Sequence, residues 1–217
     1  MVALALPQEA GVVYVAWCGA VQQVTLPSAT TSVSGAFVPK KRTMMHSGNV
    51  TAIALLKGNR TLLTCSDDNC ISAWDIQALS VVQVVQTRHG DPVASLALSG
   101  DQARMYCGHQ GGRITVWLIP APVQAPVQAG DVVVEHRTAM GWQMQRMKVG
   151  LEFPDSAVTA VVTSANGARE SLFCCTQMGG KRLVHVCSWD DPQLAKLGFR
   201  MNSKGVYTPP SANYELQ

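Results

Sequence analysis

Short runs of alternating apolar and polar positions, closed off by turn-forming residues, recur along this chain. Val50, Ala52, Ala54 and Leu56 alternate with Thr51, Ile53 and Leu55, and Lys57-Gly58-Asn59-Arg60 ends the run as a turn. Thr61 to Cys65 predicts a second strand, Asp67-Asp68-Asn69 a tight turn, Ile71 to Asp75 a third strand and Val81 to Gln86 a fourth. Strands at this spacing, joined by polar turns, predict an all-β protein built from antiparallel meanders.

The meander repeats. His46-Ser-Gly-Asn-Val50-Thr-Ala-Ile53 lines up with His89-Gly-Asp-Pro-Val93-Ala-Ser-Leu96 at an offset of 43 residues. The same offset sets Leu62 on Met105, Ile71 on Ile114 and Trp74 on Trp117 without a gap. A period of this length falls in the range of a four-stranded propeller blade. The first unit, with His46, Thr64-Cys65-Ser66-Asp67-Asp68 and Trp74-Asp75, resembles the WD (Trp-Asp) repeat β-propellers. That resemblance implies a hydrogen-bonded tetrad of His46, Thr64, Asp68 and Trp74, in which a hydroxyl and a carboxylate satisfy a buried imidazole and indole. The second unit keeps His89 and Trp117 but carries Cys107 and Gly111 where the hydroxyl and acid belong. It is expected to be held mainly by packing.

Two weaker units flank these. Val158-Thr-Ala-Val161-Val162, Leu172 to Thr176 and Arg182 to Ser188 read as strands of one, with Pro154 in place of the histidine. Val2 to Leu6, Val12 to Trp17, Val21 to Leu26 and Gly35 to Lys40 read as the strands of the other. The expected architecture is an all-β propeller of WD-repeat type, about four blades of four-stranded antiparallel sheet in an incomplete ring. The blades cover residues 2–43, 46–86, 89–149 and 154–197, with a proline-rich insertion at 120–130 and a flexible tail at 198–217. Residues 138–151 fit either a strand or a helix with Met140, Met144, Met147 and Leu151 on one face. A seven-bladed ring at about 40–45 residues per blade needs roughly 300 residues. The sequence therefore reads as the C-terminal part of a longer propeller rather than as one that closes against another chain.

Composition narrows the function. Of 217 residues, 47% are hydrophobic and 14% charged, which excludes general disorder, and a net charge of +3 is too small by itself to mark a nucleic-acid surface. No apolar run is long enough to cross a membrane as a helix, and the start of the chain lacks the basic region of a signal peptide. Seven cysteines at irregular spacing, with no CxxC pair, predict a reducing, intracellular setting, cytoplasmic or nuclear. No metal-ligand spacing, nucleophile–base pair or phosphate-binding glycine motif stands out, so neither an enzyme nor a cofactor is expected.

The reading that follows is a non-enzymatic scaffold that binds protein partners within a larger complex, with no membrane or small-molecule partner. In such blades, the loop before the first strand and the loop between the second and third reach one edge. That groups Ser47, Asn49, Asp67, Asp91 and Gln110 on a partner-binding top face. The order of blades also loosely resembles WD subunits of ribosome-assembly complexes. The alternative is a nucleic-acid-binding propeller, with Lys40, Lys41, Arg42, Arg137, Arg146 and Lys148 as phosphate contacts.

Overall fold

The computed structural model describes residues 3–5, 12–25, 38–44, 46–56, 61–76, 78, 80–87, 90–120, 143–166, 169–188, 200–201, 206–208 and 214–215. Four antiparallel meanders follow one another. The first sheet contains β1 (Ala3–Ala5), β2 (Val12–Trp17), β3 (Ala20–Thr25) and β4 (Val38–Met44). The second contains β5 (Val50–Leu55), β6 (Thr61–Ser66), β7 (Cys70–Asp75) and β8 (Ser80–Gln86). The third is built from β9 (Val93–Leu98), β10 (Arg104–His109), β11 (Arg113–Leu118) and β12 (Gln145–Glu152), the fourth from β13 (Ala157–Asn166), β14 (Arg169–Met178) and β15 (Lys181–Ser188).

Three short strands complete the sheets. β16 (Arg200–Met201) pairs antiparallel with β17 (Val206–Thr208), which lies parallel to β12, and β18 (Tyr214–Glu215) pairs with β15. These pieces belong to the segment expected to be a flexible tail, and β18 supplies the fourth strand of the last sheet. The ambiguous segment is a strand from Gln145 onward. Lys40, Lys41 and Arg42 lie inside β4 and not in a loop beside it. The insertion from 121 to 130, the Lys57–Arg60 turn and His89 lie outside the described residues.

The repeat dictates the packing. Neighbouring residues of a strand point to opposite faces, so Leu62 joins Tyr14, Ala16, Val21 and Val50 between the first two sheets, while Leu63 joins Cys65, Ile71, Val93 and Met105 between the second and third. Met105 and Tyr106 repeat this division. Tyr106 packs with Ile114, Val158, Val161 and Leu172 between the third and fourth sheets. Second strands such as Thr61–Ser66 are therefore buried on both faces, which explains why apolar residues stand side by side at Leu62-Leu63 and Met105-Tyr106.

The same irregularity recurs in the first strand pair of three sheets. The register shifts between Val50 and Ala52, Gly108 and His109, and Val158 and Ala160. This shared bulge makes Ser66, His109 and Thr176 structural equivalents. Register with the third strands makes Ser72, Thr115 and His185 a second equivalent set. Each sheet packs on the next in chain order, and among the described residues they form an arc with no closed ring.

Candidate interaction site

In the second sheet, His46 Nε2 lies 2.7 Å from Thr64 Oγ1 and Nδ1 lies 3.2–3.3 Å from the Asp68 carboxylate. Burial pushes the His46 pKa below its ordinary value, outweighing the Asp68 and Asp67 carboxylates that pull it up. The ring is thus neutral at pH 7. Its Nδ1–H donates to Asp68, its Nε2 accepts the Thr64 hydroxyl proton, and the Asp68 contact is a hydrogen bond rather than an ion pair. Burial works to raise the Asp68 pKa, but His46, the Cys70 and Ser47 amides and Ser66 together hold it below the ordinary carboxylate value. Asp68 accepts the Ser47 amide at 2.9 Å and the Cys70 amide at 3.0 Å, closing the turn.

Trp74 stands apart from the tetrad implied for it. Its indole Nε1 is buried without a hydrogen-bond partner among the described residues, and so is the Ser72 hydroxyl. The connected set in this sheet is His46, Thr64 and Asp68.

The third sheet adds a buried polar chain to the packing expected to hold it. Trp117 Nε1–H donates to Thr115 Oγ1 at 3.1 Å, the Thr115 hydroxyl meets His109 Nε2 at 2.8 Å, and His109 Nδ1–H donates to the Asp91 carbonyl at 3.0 Å. The Asp91 carboxylate accepts the Gly111 amide at 2.6 Å and binds Arg113 through Nε at 3.1 Å and Nη2 at 2.9 Å. Burial lowers the His109 pKa against the pull of Asp91, so this imidazole too is neutral. The same four residue types recur here, with the tryptophan at its repeat position and the imidazole, hydroxyl and acid at different ones.

The exchange is reciprocal. Asp91 and Gly111 lie 43 residues after Gly48 and Asp68, so acid and glycine have traded places between the loop before the first strand and the turn between the second and third. Space is tight at both glycines: a Cβ on Gly111 would sit 2.9 Å from Asp91 Oδ1, and one on Gly48 would collide with Asp67 Oδ1 and sit 3.2 Å from Asp68 Cβ. In the fourth sheet the order inverts again, with Thr176 Oγ1 2.9 Å from His185 Nε2 and the Phe153 ring 4.4 Å from the imidazole. Burial lowers the His185 pKa as well. Sequence reading missed Thr115, Arg113 and the role of His109. The compensating Gly48/Asp91 and Asp68/Gly111 exchange at the repeat offset was the available signal.

These networks anchor the turns expected to meet a partner. Ser47 and Asn49 are exposed, and Asp67 accepts the Asn49 amide at 2.6 Å and its side-chain Nδ2 at 2.9 Å. Gln110 is exposed at the tip of the β10–β11 turn, its amide bonded to the Pro92 carbonyl at 3.0 Å. Asp91 is different. It is 6% exposed and its carboxylate is consumed by Gly111 and Arg113, so Arg113, half-buried, is the charged group that turn offers outward. Of the basic residues, Lys40, Lys41 and Arg42 lie in β4, Arg146 and Lys148 in β12, and Arg137 outside the described residues.

Comparison with known proteins fits this geometry. The family described as "WD domain, G-beta repeat" matches residues 38–75, from β4 through β7. The chain is 35% identical over 72 residues to the target of rapamycin complex subunit wat1 of Schizosaccharomyces pombe, covering 33% of this chain and 22% of that protein. It is 25% identical over 202 residues to human striatin-3 (84% and 25%), and 30% identical over 60 residues to the target of rapamycin complex subunit LST8 of Saccharomyces cerevisiae (28% and 19%). The chain thus spans a quarter or less of the length of these relatives. Residues 38–75 thus carry a WD repeat, and the stacked four-stranded meanders have the form of blades of a partial β-propeller.

Proposed function

We propose that this protein is a non-enzymatic scaffold that binds protein partners within a multiprotein complex, through the edge carrying the β6–β7 and β10–β11 turns. The observation that supports this most is the anchoring of those turns by buried polar networks, which leaves Ser47, Asn49, Gln110 and Arg113 on pre-ordered backbone. Ordering costs are then met on folding and not on binding. Two of the relatives are by name subunits of target of rapamycin complexes, which favours membership in a stable assembly. A ribosome-assembly complex is the finer alternative, carried by the order of blades alone. We place the protein inside the cell, in line with the cysteines at 18, 65, 70, 107, 174 and 175, which are free among the described residues. No helix among the described residues is long and apolar enough to cross a membrane.

Affinity purification with the wild-type chain and with Ser47→Arg and Gln110→Arg variants tests the reading. Both variants are expected to fold and to lose the co-purifying proteins. An unchanged set of partners would overturn the assigned edge. Retention of nucleic acid alone, with affinity falling steeply as salt rises, would favour the nucleic-acid reading instead.

A further inference from the structure

We propose that the outer edge of β8 is a docking edge for an extended, uncharged segment of a partner protein, which adds to the second sheet as a fifth strand. The proposal rests on the scaffold reading and gives the molecule a second contact surface, away from the turns.

The first strands β5 and β9 contact each other, as Thr51 Oγ1 donating to the Val93 carbonyl at 2.6 Å illustrates, and the last strands lie at the opposite ends of their sheets. An edge strand presents unpaired amides and carbonyls, and proteins blunt it with charge, proline or a covering element. The other last strands follow that rule. β4 carries Pro39, Lys40, Lys41 and Arg42; β12 carries Arg146, Lys148 and Glu152 and is covered by β17; β15 is covered by β18. β8 reads Ser-Val-Val-Gln-Val-Val-Gln, with no charge, no proline and no further strand among the described residues.

Its side chains point to the kind of occupant. The register shift between Ala73 and Trp74 sets Val81 opposite Trp74 and Val84 opposite Ser72, on one face, where they are 45% and 56% exposed. The other face is already occupied: Val82 and Val85 pack in the core, and Gln83 Oε1 accepts the Met144 amide at 2.7 Å. An added strand would meet two exposed valines, which favours β-branched or aromatic residues and penalises charge. The chain already contains such an addition, since Val206-Tyr207-Thr208 lies along β12 in this manner. Strand addition of this kind draws affinity from main-chain hydrogen bonds and specificity from alternate side chains.

The test uses the full chain, a Val81→Lys/Val84→Lys double variant, and a random-peptide phage library as probe. Both valines are exposed, so an unchanged melt is expected. Recovered peptides should alternate uncharged β-branched or aromatic residues and bind the variant at least about tenfold more weakly. They should also slow hydrogen exchange in β8 alone. The proposal is overturned if no peptide is enriched, if peptides bind both proteins equally, or if the outward-facing β8 amides, those not bonded to β7, are already protected in the chain by itself. Self-association relieved by the double variant would also overturn it, by assigning the edge to a second copy. Peptides that protect the turns near Ser47 and Gln110 would sink the edge and leave the scaffold reading intact. The converse, β8 binding with no partner lost in Ser47→Arg, would leave the edge and sink the assigned turns.

Discussion

The Asp91 carboxylate accepts the Gly111 amide at 2.6 Å, across a turn whose counterpart one blade earlier has the acid and the glycine interchanged as Asp68 and Gly48. A carboxylate in either loop can join the two, but two would repel and crowd one another, and none would leave the loop amides without this acceptor.

Asp91→Ala is expected to destabilise the protein by about 1–3 kcal/mol, because Gly111 and Arg113 lose a buried partner. Gly111→Asp should cost at least as much, since its Cβ meets Asp91. The Asp91→Gly/Gly111→Asp double exchange should cost less than the sum of the two single changes. Urea denaturation of the set measures the coupling, and strict additivity would refute the compensating pair.

Thr115 and Ser72 occupy equivalent places, yet only Thr115 bonds its tryptophan. Thr115→Val should lose about 1–3 kcal/mol by stranding the Trp117 N–H and His109 Nε2. Ser72→Thr should raise stability by about 0.5–1.5 kcal/mol if its hydroxyl turns to Trp74. A lower melting temperature for Ser72→Thr would mean that the added methyl outweighs the bond.

Glu170 ties the fourth blade to the third. It accepts the Gly100 amide at 2.9 Å and the Tyr106 hydroxyl at 3.1 Å, with Arg104 at 3.6 Å. Glu170→Ala should destabilise by about 1–3 kcal/mol and Glu170→Gln by less, because the amide retains one acceptor oxygen. Equal losses in thermal melts would assign the effect to charge alone.

Three buried imidazoles, His46, His109 and His185, have pKa values held below 6.5 by burial. Below pH 6.5 the unfolded chain binds more protons than the folded one, so stability rises with pH there. The contribution is fully present above the unfolded value and is lost as pH falls toward the depressed folded values. Melting temperature should therefore fall between about pH 7.5 and pH 5.5. His185→Gln should flatten the profile, and a slope unchanged by that variant would exclude His185 as a source.

The meander itself was legible from the sequence. Alternation from Val50 to Leu56, the turn at Asp67-Asp68-Asn69 and the offset that sets Leu62 on Met105 place strands, faces and blade order, because burial of one residue in two follows directly from strand geometry. The tetrad was legible only in part. The resemblance implied a buried polar chain, and His46, Thr64 and Asp68 form one, but whether the Trp74 N–H joins it depends on side-chain placement within a packed sheet.

Two features belong to tertiary structure alone. β17 and β18 reach β12 and β15 from a segment whose own pattern predicts no strands, since two or three residues carry no period and are ordered only by the edge they meet. The chain of Trp117, Thr115, His109 and Asp91 is the other. The sequence by itself determined the strand order, the 43-residue blade offset and the residue types of one buried polar chain, because burial alternates along a strand and a buried donor needs a partner. The positions of imidazole, hydroxyl and acid in such a chain were decided by the fold, because several arrangements satisfy the same buried donors and only the shared bulge and the space between sheets select among them.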